Sequence, residues 1–348
     1  MWVRLELEQF IFESDPRFPE DRLLQGAVRL LLEAIYEADF LPASYGYRPG
    51  TGAQQAVKDL TYELQFGRFG YVVEADIKGF FDAISPDWLL KMLEERIDDA
   101  PFIGLIDSWL KAGILERDGT VIHPMTGTPQ GGVVSPILAN IYLHFVLDLW
   151  FDRVVKPRCE GQAHIIRFAD DFVCTFQYRK DARRFYRELP ERLEKFGLLL
   201  APEKTCIHRF SRFHPGKHRR FTFLSFEFYW EADSKGTPRV WRRTARPRLR
   251  TAVKACKDWL KKHRHMPLAK LMNTMKRKVR GHYNYFSAVG NGGVWEFYSQ
   301  VVALLYKWLN RRSQRRSLTW EQLRRLLERV AFPRPNTGSR QIGNRGLA

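Results

Sequence analysis

The sequence predicts an α+β fold in which an antiparallel sheet is backed by helices and followed by an all-helical basic domain. Two short apolar runs, residues 165–168 and 172–176, flank Asp170-Asp171 and predict a β-hairpin. Strand-like and helical segments mix without the regular βαβ order of a doubly wound sheet, which favours antiparallel pairing. From Thr244 onward the pattern changes to long, basic, Leu- and Trp-rich helical segments.

The charge is distributed unevenly along the 348 residues. The net charge is +18 at pH 7, yet residues 241–348 hold 26 Lys and Arg against four acids, a balance of +22, so the first 240 residues carry −4. Such asymmetry indicates a polyanion bound mainly by the C-terminal third. A solvated basic surface is the alternative interpretation.

Composition excludes several classes of protein. A hydrophobic content of 45% indicates a globular chain. No apolar run approaches the roughly 18 residues of a spanning helix, so we expect no membrane partner. The four cysteines are far apart and lack metal-binding spacing, which is typical of reduced thiols in a cytoplasmic protein.

Carboxylates stand at the ends of strand-like runs. Asp170 and Asp171 occupy the predicted hairpin turn, and Asp76 ends the strand pattern that begins at Tyr71. Adjacent carboxylates repel each other, so a pair at a tight turn suggests a cation, and oxygen ligands suit Mg²⁺. An Asp-Asp pair alone is more often a solvated turn. A strand that brings Asp76 beside Asp170 would complete a site for two Mg²⁺ ions and phosphoryl transfer.

A third stretch, Thr126–Pro136, lies between these two in the sequence. Its glycines, Gly131 and Gly132, let the backbone approach a ligand closely. Ser135 can cap a helix whose first residue is Pro136. Taken alone, Thr126–Pro136 is explained by an ordinary loop-to-helix junction. The evidence for function is therefore the order of the three stretches along the chain.

This order resembles the reverse transcriptases, and most closely the group II intron type, the intron-encoded maturase-reverse transcriptases. The matching residues run from about Asp21 to Phe332, and the family usually has glycine where Ser225 stands and tyrosine where Phe168 stands. The segments that carry the resemblance are a fingers motif at Glu37–Gly50, palm motifs at Asp76–Asp82 and Thr126–Pro136, the Phe168–Asp171 box, and further palm motifs at Glu203–Thr205 and Phe223–Phe226.

The resemblance implies an RNA-directed DNA polymerase with the right-hand fold of fingers, palm and thumb. The implied partners are an RNA template, intron RNA, a DNA primer and deoxynucleoside triphosphates. The implied catalytic residues are Asp76, Asp170 and Asp171, and Ile77 joins them in the metal-binding set. The expected domains are partial fingers at 1–70, the palm with remaining fingers elements at 71–240, a helical thumb or maturase domain at 241–332, and a flexible tail at 333–348.

Further residues are candidates for contacts with nucleotide or template: Arg48, Phe81, Gln130, Gly131 and Lys204. Phe81 lies five residues after Asp76, where the family places the residue under the sugar, and a bulky ring there would clash with a ribose 2′ hydroxyl. Core packing is the alternative for Phe81, and a structural salt bridge is the alternative for Arg48. Lys204 approaches the triphosphate in one interpretation and is a surface lysine in the other.

The C-terminal helices supply the candidate intron-RNA-binding residues Lys276, Arg277, Lys278, Arg280, Arg311 and Arg312. His208, His214 and His218 raise the alternative of a zinc site. Since the sequence shows no matching cysteine or carboxylate set, we favour a basic loop that faces nucleic acid.

The resemblance stops at the front of the chain. Group II reverse transcriptases normally carry a further N-terminal segment with two more motifs, whereas 20 residues precede Asp21 here. We therefore expect a truncated member or a misassigned start. Two functions stay open: an RNA-directed DNA polymerase, and a noncatalytic RNA-binding maturase that aids intron folding and splicing. The three aspartates favour the polymerase.

Overall fold

The chain divides into two compact units, residues 1–214 and residues 215–348, in the computed structural model. The residues that the structure describes are 19–111, 114–115, 121–122, 132–214, 219–287, 291–312 and 318–335. The predicted contacts of Gln130 and Gly131, together with most of the Gly-rich loop, therefore lie outside the described residues.

The first unit combines helices with a four-stranded sheet and a short hairpin. Its elements in chain order are α1 (Pro19–Tyr36), α2 (Ala53–Phe66), β1 (Tyr71–Asp76), α3 (Phe80–Ala83), α4 (Pro86–Glu94), α5 (Ala100–Lys111), β2 (Ile114–Leu115), β3 (Val121–Ile122), α6 (Ser135–Leu143), β4 (Ala163–Phe168), β5 (Asp171–Phe176), α7 (Arg179–Glu194) and β6 (Cys206–Arg209).

The four strands of the larger sheet run in the order β4-β5-β1-β6, and every neighbouring pair is antiparallel. Side chains alternate between the two faces of a strand. One face carries buried residues such as Ala75 and Phe176 and packs against α7, whose Phe185 ring lies 5.3 Å from that of Phe176. The other face carries Asp76. The predicted antiparallel sheet backed by helices is therefore confirmed.

The helix that follows the Gly-rich loop departs from its prediction. The sequence predicts a single helix from Ser135 to about Asp152. In the structure, the α-helical part, α6, ends at Leu143, and π-helical turns follow at His144–Asp148 and Phe151–Val155. A π-helical turn holds an extra residue and is usually kept where a specific contact needs it. Here that contact is made by Asp148, which is fully buried against the sheet.

The second unit contains a three-stranded antiparallel sheet and four helices among its described residues. The sequence predicts helices over residues 246–263, 267–280, 294–312 and 319–332. The first is confirmed at both ends, and the ends of the other three lie one to six residues from their predicted positions. The elements are β7 (Phe221–Phe223), β8 (Phe226–Ala232), β9 (Pro238–Thr244), α8 (Arg246–His263), α9 (Leu268–Phe286), α10 (Gly293–Leu309) and α11 (Trp320–Arg329).

Two features of the second unit's sheet were not evident from the sequence. The sheet belongs to the unit that begins at residue 215, and the palm boundary expected at residue 240 stays a prediction. Asn291 fastens the end of β9, because its side-chain oxygen accepts from the Thr244 N–H at 3.0 Å and its amide donates to the Phe286 carbonyl at 2.9 Å. The β7–β8 turn has positive φ at Leu224 (48°) and Ser225 (66°), which explains a family preference for glycine at the latter position.

No helix in the described part of the chain is both long enough and apolar enough to span a membrane.

Candidate active site

The pairing of strands brings the three aspartates to one end of the larger sheet. Asp76, the last residue of β1, lies directly opposite Asp171, the first residue of β5. The β4–β5 hairpin closes with Phe168 opposite Asp171, so Ala169 and Asp170 form the turn. Directly opposite residues in an antiparallel pair have Cα atoms about 4.5–5.5 Å apart. A carboxylate from one segment of the chain thus stands beside two from another.

The turn that carries Asp170 is strained and is supported from behind. Ala169 has a φ of 55°, in the left-handed region that residues other than glycine rarely adopt. Gly46 packs against it so closely that a Cβ atom at position 46 would lie 2.3 Å from the Ala169 nitrogen. The conformation persists because the surrounding structure determines it, and residue 46 has to be glycine.

Arg167 anchors the same turn through a fully buried guanidinium group. Its Nη1 donates to the carbonyl oxygen of Ala169 at 3.0 Å and to Asn140 Oδ1 at 3.0 Å. Its Nε and Nη2 donate to the two carboxylate oxygens of Asp148 at 2.8 and 2.6 Å, and Nη2 also donates to Ser44 Oγ at 2.7 Å. All five N–H donors of the guanidinium are therefore used. Neither Arg167 nor Asp148 exposes any side-chain surface.

Burial and neighbouring charges shift the pKa values of two groups at the site. Burial raises the pKa of the Asp170 carboxyl above its ordinary value, and the neighbouring Asp76 carboxylate raises it further. Lys204 Nζ donates to Asp76 Oδ2 at 2.6 Å, and this contact raises the pKa of the ammonium. The lysine is brought there because the Ala201 N–H donates to the Asp76 carbonyl at 2.9 Å, just before a short 3₁₀ turn at Pro202–Lys204.

The donor set suits Mg²⁺. Three carboxylates on neighbouring backbone segments offer oxygen ligands only, and the mutual repulsion that raises the pKa of Asp170 is relieved by a divalent cation. Ile77 has a buried apolar side chain and can contribute only its main-chain carbonyl oxygen. Asp76, Asp170 and Asp171, with that carbonyl, are the residues that would hold the ion.

Arg48 does not occupy the position predicted for it. We expected an exposed side chain that reaches nucleotide or template, but its guanidinium is only 9% exposed and pairs with Glu37 at 2.6 Å. It also donates to the carbonyl oxygens of Leu41 and Ser44, each at 2.8 Å. The structural salt bridge, the alternative interpretation, accounts for these contacts, which hold together the loop that ends at Gly46.

Phe81 lies in α3, shortly after Asp76 in the chain. Its ring is half-buried and meets the ring of the buried Phe80 edge-on, with centroids 5.4 Å apart. The ring therefore packs partly against the core and leaves part of its surface accessible. Both the steric role against ribose and the packing role remain compatible with this placement.

The predicted RNA-binding cations of the second unit lie on α9 and just after the end of α10. Arg277, Lys278 and Arg280 are exposed on α9. Arg311 is exposed after α10, with its guanidinium carbon 5.6 Å from the centroid of the Trp308 ring. Arg312 is half-buried and donates to the Met266 carbonyl at 2.8 Å, so its charge serves a structural contact as well. Lys276 is half-buried too.

A basic stripe on α7 was missed by the sequence analysis. Arg179, Arg183 and Arg187 recur every four residues and are all exposed along one line of the helix. Neighbouring cations are engaged elsewhere: Lys180 pairs with Glu160. The recurrence of arginine every four residues could have indicated this stripe, but the charge asymmetry of the sequence points only to the C-terminal third.

Comparison with known proteins places these observations in a family. The family model described as "Reverse transcriptase (RNA-dependent DNA polymerase)" matches residues 14–228. The chain is 45% identical over 144 residues to the group II intron-encoded protein LtrA of Lactococcus lactis subsp. cremoris, covering 40% of this chain and 24% of that protein. It is 44% identical over 126 residues to an uncharacterized 91 kDa protein in a cob intron of Schizosaccharomyces pombe, covering 36% of this chain and 15% of that protein.

These matches confirm the resemblance to group II intron-type reverse transcriptases that the motifs indicate. The aligned segments span about a quarter or less of the length of these two relatives. Among solved structures, telomerase from Candida albicans superimposes with a TM-score of 0.48 and 14% identity, covering 88% of this chain and 55% of that chain.

Proposed function

The chain belongs to the reverse transcriptase (RNA-dependent DNA polymerase) family, and from this premise we propose that it is an RNA-directed DNA polymerase of the group II intron type. The observation that supports the activity most directly is the pairing of β1 with β5, which sets Asp76 beside Asp171 and the Asp170 turn. In the proposed reaction, the primer's 3′ oxygen attacks the α-phosphorus of a deoxynucleoside triphosphate and pyrophosphate leaves.

The cofactor in this proposal is a pair of Mg²⁺ ions held by Asp76, Asp170 and Asp171, with the carbonyl of Ile77. Bound Mg²⁺ supplies charge neutralisation for both the attacking and the leaving oxygen. The protein's own contribution is to keep the carboxylates in place before substrate arrives. The Arg167 network does this, because its hydrogen bond to the Ala169 carbonyl restricts the movement of the turn that carries Asp170.

Lys204 has a place in the same proposal. Its ammonium pairs with Asp76 and its side chain is 63% exposed, so a triphosphate can compete for the lysine. An ammonium group in this position suits the neutralisation of a leaving pyrophosphate. Conversely, a cation bound at Asp76 would weaken the Asp76–Lys204 pair and release the lysine toward the substrate.

The proposed partners are an RNA template, a DNA primer, deoxynucleoside triphosphates and intron RNA. The exposed cations on α9 and the α7 stripe support RNA binding, because phosphate contacts by Lys and Arg supply most sequence-independent affinity. The maturase role of the proposal rests on this binding and on the group II relatives.

The test is Mg²⁺-dependent primer extension on an RNA template. We expect the unaltered chain to extend the primer and Asp170→Asn to lose at least about a hundredfold in rate, since that change removes a carboxylate charge from the metal site. The matched control is Asp98→Asn, because Asp98 is exposed and is not among the residues assigned to the site. Equal extension by Asp170→Asn and the unaltered chain would refute the site assignment. Intron-RNA binding without extension by either protein would support the noncatalytic maturase instead.

A further inference from the structure

A cysteine, a histidine and a glutamate meet on the same sheet as the aspartates. Glu74 on β1 lies directly opposite Cys206 on β6, and His208 follows two residues later, so its side chain projects from the same face. Cys206 Sγ and His208 Nε2 are 2.8 Å apart, and His208 Nε2 and Glu74 Oε2 are 3.2 Å apart. Within the described part of the chain, these residues form the one group of three metal-binding side chains whose ligand atoms all lie within 4.8 Å of one another.

We propose that Glu74, Cys206 and His208 bind a transition-metal dication, with Zn²⁺ the best fit. A thiolate, an imidazole and a carboxylate are zinc ligands at bond lengths of about 2.0–2.3 Å. In a tetrahedral site with such bonds, the ligand atoms stand about 3.3–3.6 Å apart. The separations of 2.8 and 3.2 Å are shorter than this by less than 1 Å, and the third lies within 4.8 Å, so small side-chain rotations suffice. Three protein ligands leave a fourth position for water.

The donor atoms separate this site chemically from the carboxylates that follow it. Glu74 and Asp76 are two residues apart on β1, about 6–7 Å along one face of the sheet. Asp76 belongs to an oxygen-only set that suits Mg²⁺, whereas sulfur and nitrogen donors favour Zn²⁺ or Co²⁺ over Mg²⁺. The two neighbouring sites would therefore select different metals.

A metal bound by this cluster would join two strands of the sheet. In the described sheet β6 is an edge strand that pairs only with β1, so a metal held by Glu74 and by Cys206 and His208 would clamp the two strands together. Lys204 comes two residues before Cys206. Clamping β6 would thus also restrict the lysine that donates to Asp76.

A zinc site at His208 was not favoured, because the sequence shows no matching cysteine or carboxylate set, and this premise is wrong. His208 does have both neighbours, but Glu74 lies 134 residues away along the chain and comes close only through the β1–β6 pairing. His214 takes no part in the cluster, since its ring lies 3.1 Å from Arg209 Nη2. His218 lies outside the described residues.

The binding step is a simple exchange. The hydrated metal loses waters, the Cys206 thiol gives its proton to solvent, and a metal–sulfur bond forms without any change of oxidation state. The competing interpretation is a metal-free cluster, with a thiol–imidazole contact and a His208–Glu74 pair.

Cobalt substitution distinguishes these interpretations. The reduced, metal-stripped full-length chain is titrated with Co²⁺ in excess Mg²⁺, which occupies the oxygen-only site. We expect one equivalent to produce a near-ultraviolet thiolate-to-cobalt charge-transfer band and the visible bands of four-coordinate cobalt, and one equivalent of Zn²⁺ to abolish both. Cys206→Ser should lose the charge-transfer band. Cys159→Ser, which alters another incompletely buried thiol, should keep it.

A second series tests the other two ligands. His208→Ala and Glu74→Gln should each weaken Co²⁺ binding by at least about tenfold, the effect of disturbing even an indirect partner of a metal ligand, while circular dichroism shows that the chain is folded. Absence of the charge-transfer band in the unaltered chain would overturn the proposal, as would a band that persists in Cys206→Ser. Affinity unchanged in both His208→Ala and Glu74→Gln would also overturn it. The readout needs no polymerase activity, so this proposal can fail while the proposed function stands, and the reverse.

Discussion

Arg167 offers the sharpest test of how the aspartate turn is held. Replacing it with methionine keeps a long unbranched side chain but removes five donated hydrogen bonds. The change also leaves the Asp148 carboxylate buried without its cation. Removal of one partner from a buried pair costs about 3–5 kcal/mol. The exposed pair Arg158–Glu188 is the matched control, for which Arg158→Met should cost at most about 1 kcal/mol.

A double variant separates stability from positioning. In Arg167→Met with Asp148→Leu, no charge is left buried, and replacing a whole buried pair by apolar residues is often nearly neutral. We therefore expect most of the lost stability to return. The Ala169 carbonyl, however, still lacks its donor, so the turn that carries Asp170 stays loose. Misplacement of a catalytic group by about 1 Å costs about a hundredfold in rate, and we expect a loss of that size to remain.

The measurements are urea unfolding in the absence of substrate and single-turnover primer extension at saturating primer-template. Full recovery of extension in the double variant would refute the positioning role, because Arg167 would then serve only to neutralise Asp148. A cost below about 1 kcal/mol for Arg167→Met alone would refute the burial argument itself.

Three other predictions follow from individual side chains. Phe81→Val should admit ribonucleotides, since the steric wall shrinks; single-nucleotide incorporation measures it, and an unchanged preference would assign the ring to packing alone. Asp170→Asn should stabilise the metal-free protein at pH 7 but not below pH 3. The pKa of Asp170 is raised in the folded state, so the protein loses stability as the pH rises through that pKa and the carboxyl ionises. Unfolding midpoints of both proteins at the two pH values test the direction of this effect. Replacing Lys276, Arg277 and Lys278 by Gln should reduce the log–log slope of intron-RNA affinity against salt by up to about 2–3, without unfolding α9. The same change on the α7 stripe shows which surface contributes more. If neither triple change affects the slope, the charge does not serve RNA binding.

The sequence was most informative where local patterns determine structure. The basic, Leu- and Trp-rich helical pattern located both ends of α8, and the two apolar runs that flank Asp170-Asp171 located the β4–β5 hairpin. The predicted aspartate site needs the end of one strand to lie beside another strand, and the structure pairs Asp76 with Asp171. These features depend on neighbours in the chain or on a single antiparallel contact.

What the sequence did not reveal depends on residues that meet only in three dimensions. The Glu74–Cys206–His208 cluster joins two strands that are distant in the chain. The π-helical turn at His144–Asp148 ends at a residue whose buried partner, Arg167, lies 19 residues further along the chain. Arg48 was placed in the wrong environment because an arginine next to Gly and Pro suggests an exposed turn, whereas its actual partner, Glu37, is supplied by the preceding segment.

The correction at Arg48 also changes what the motif around it does. Within the segment from Ser44 to Gly50, Arg48 was expected to contact nucleotide or template, yet several of the segment's described contacts are with the Asp170 turn. Ser44 accepts from the Arg167 guanidinium, the Tyr45 N–H donates to the Arg167 carbonyl at 2.9 Å, and Gly46 lies against Ala169. A motif of this kind can be required for polymerisation without touching substrate, because it holds the strained turn on which Asp170 depends. Gly46→Ala should then reduce primer extension about as strongly as the loss of Arg167, by displacing the same turn from the other side.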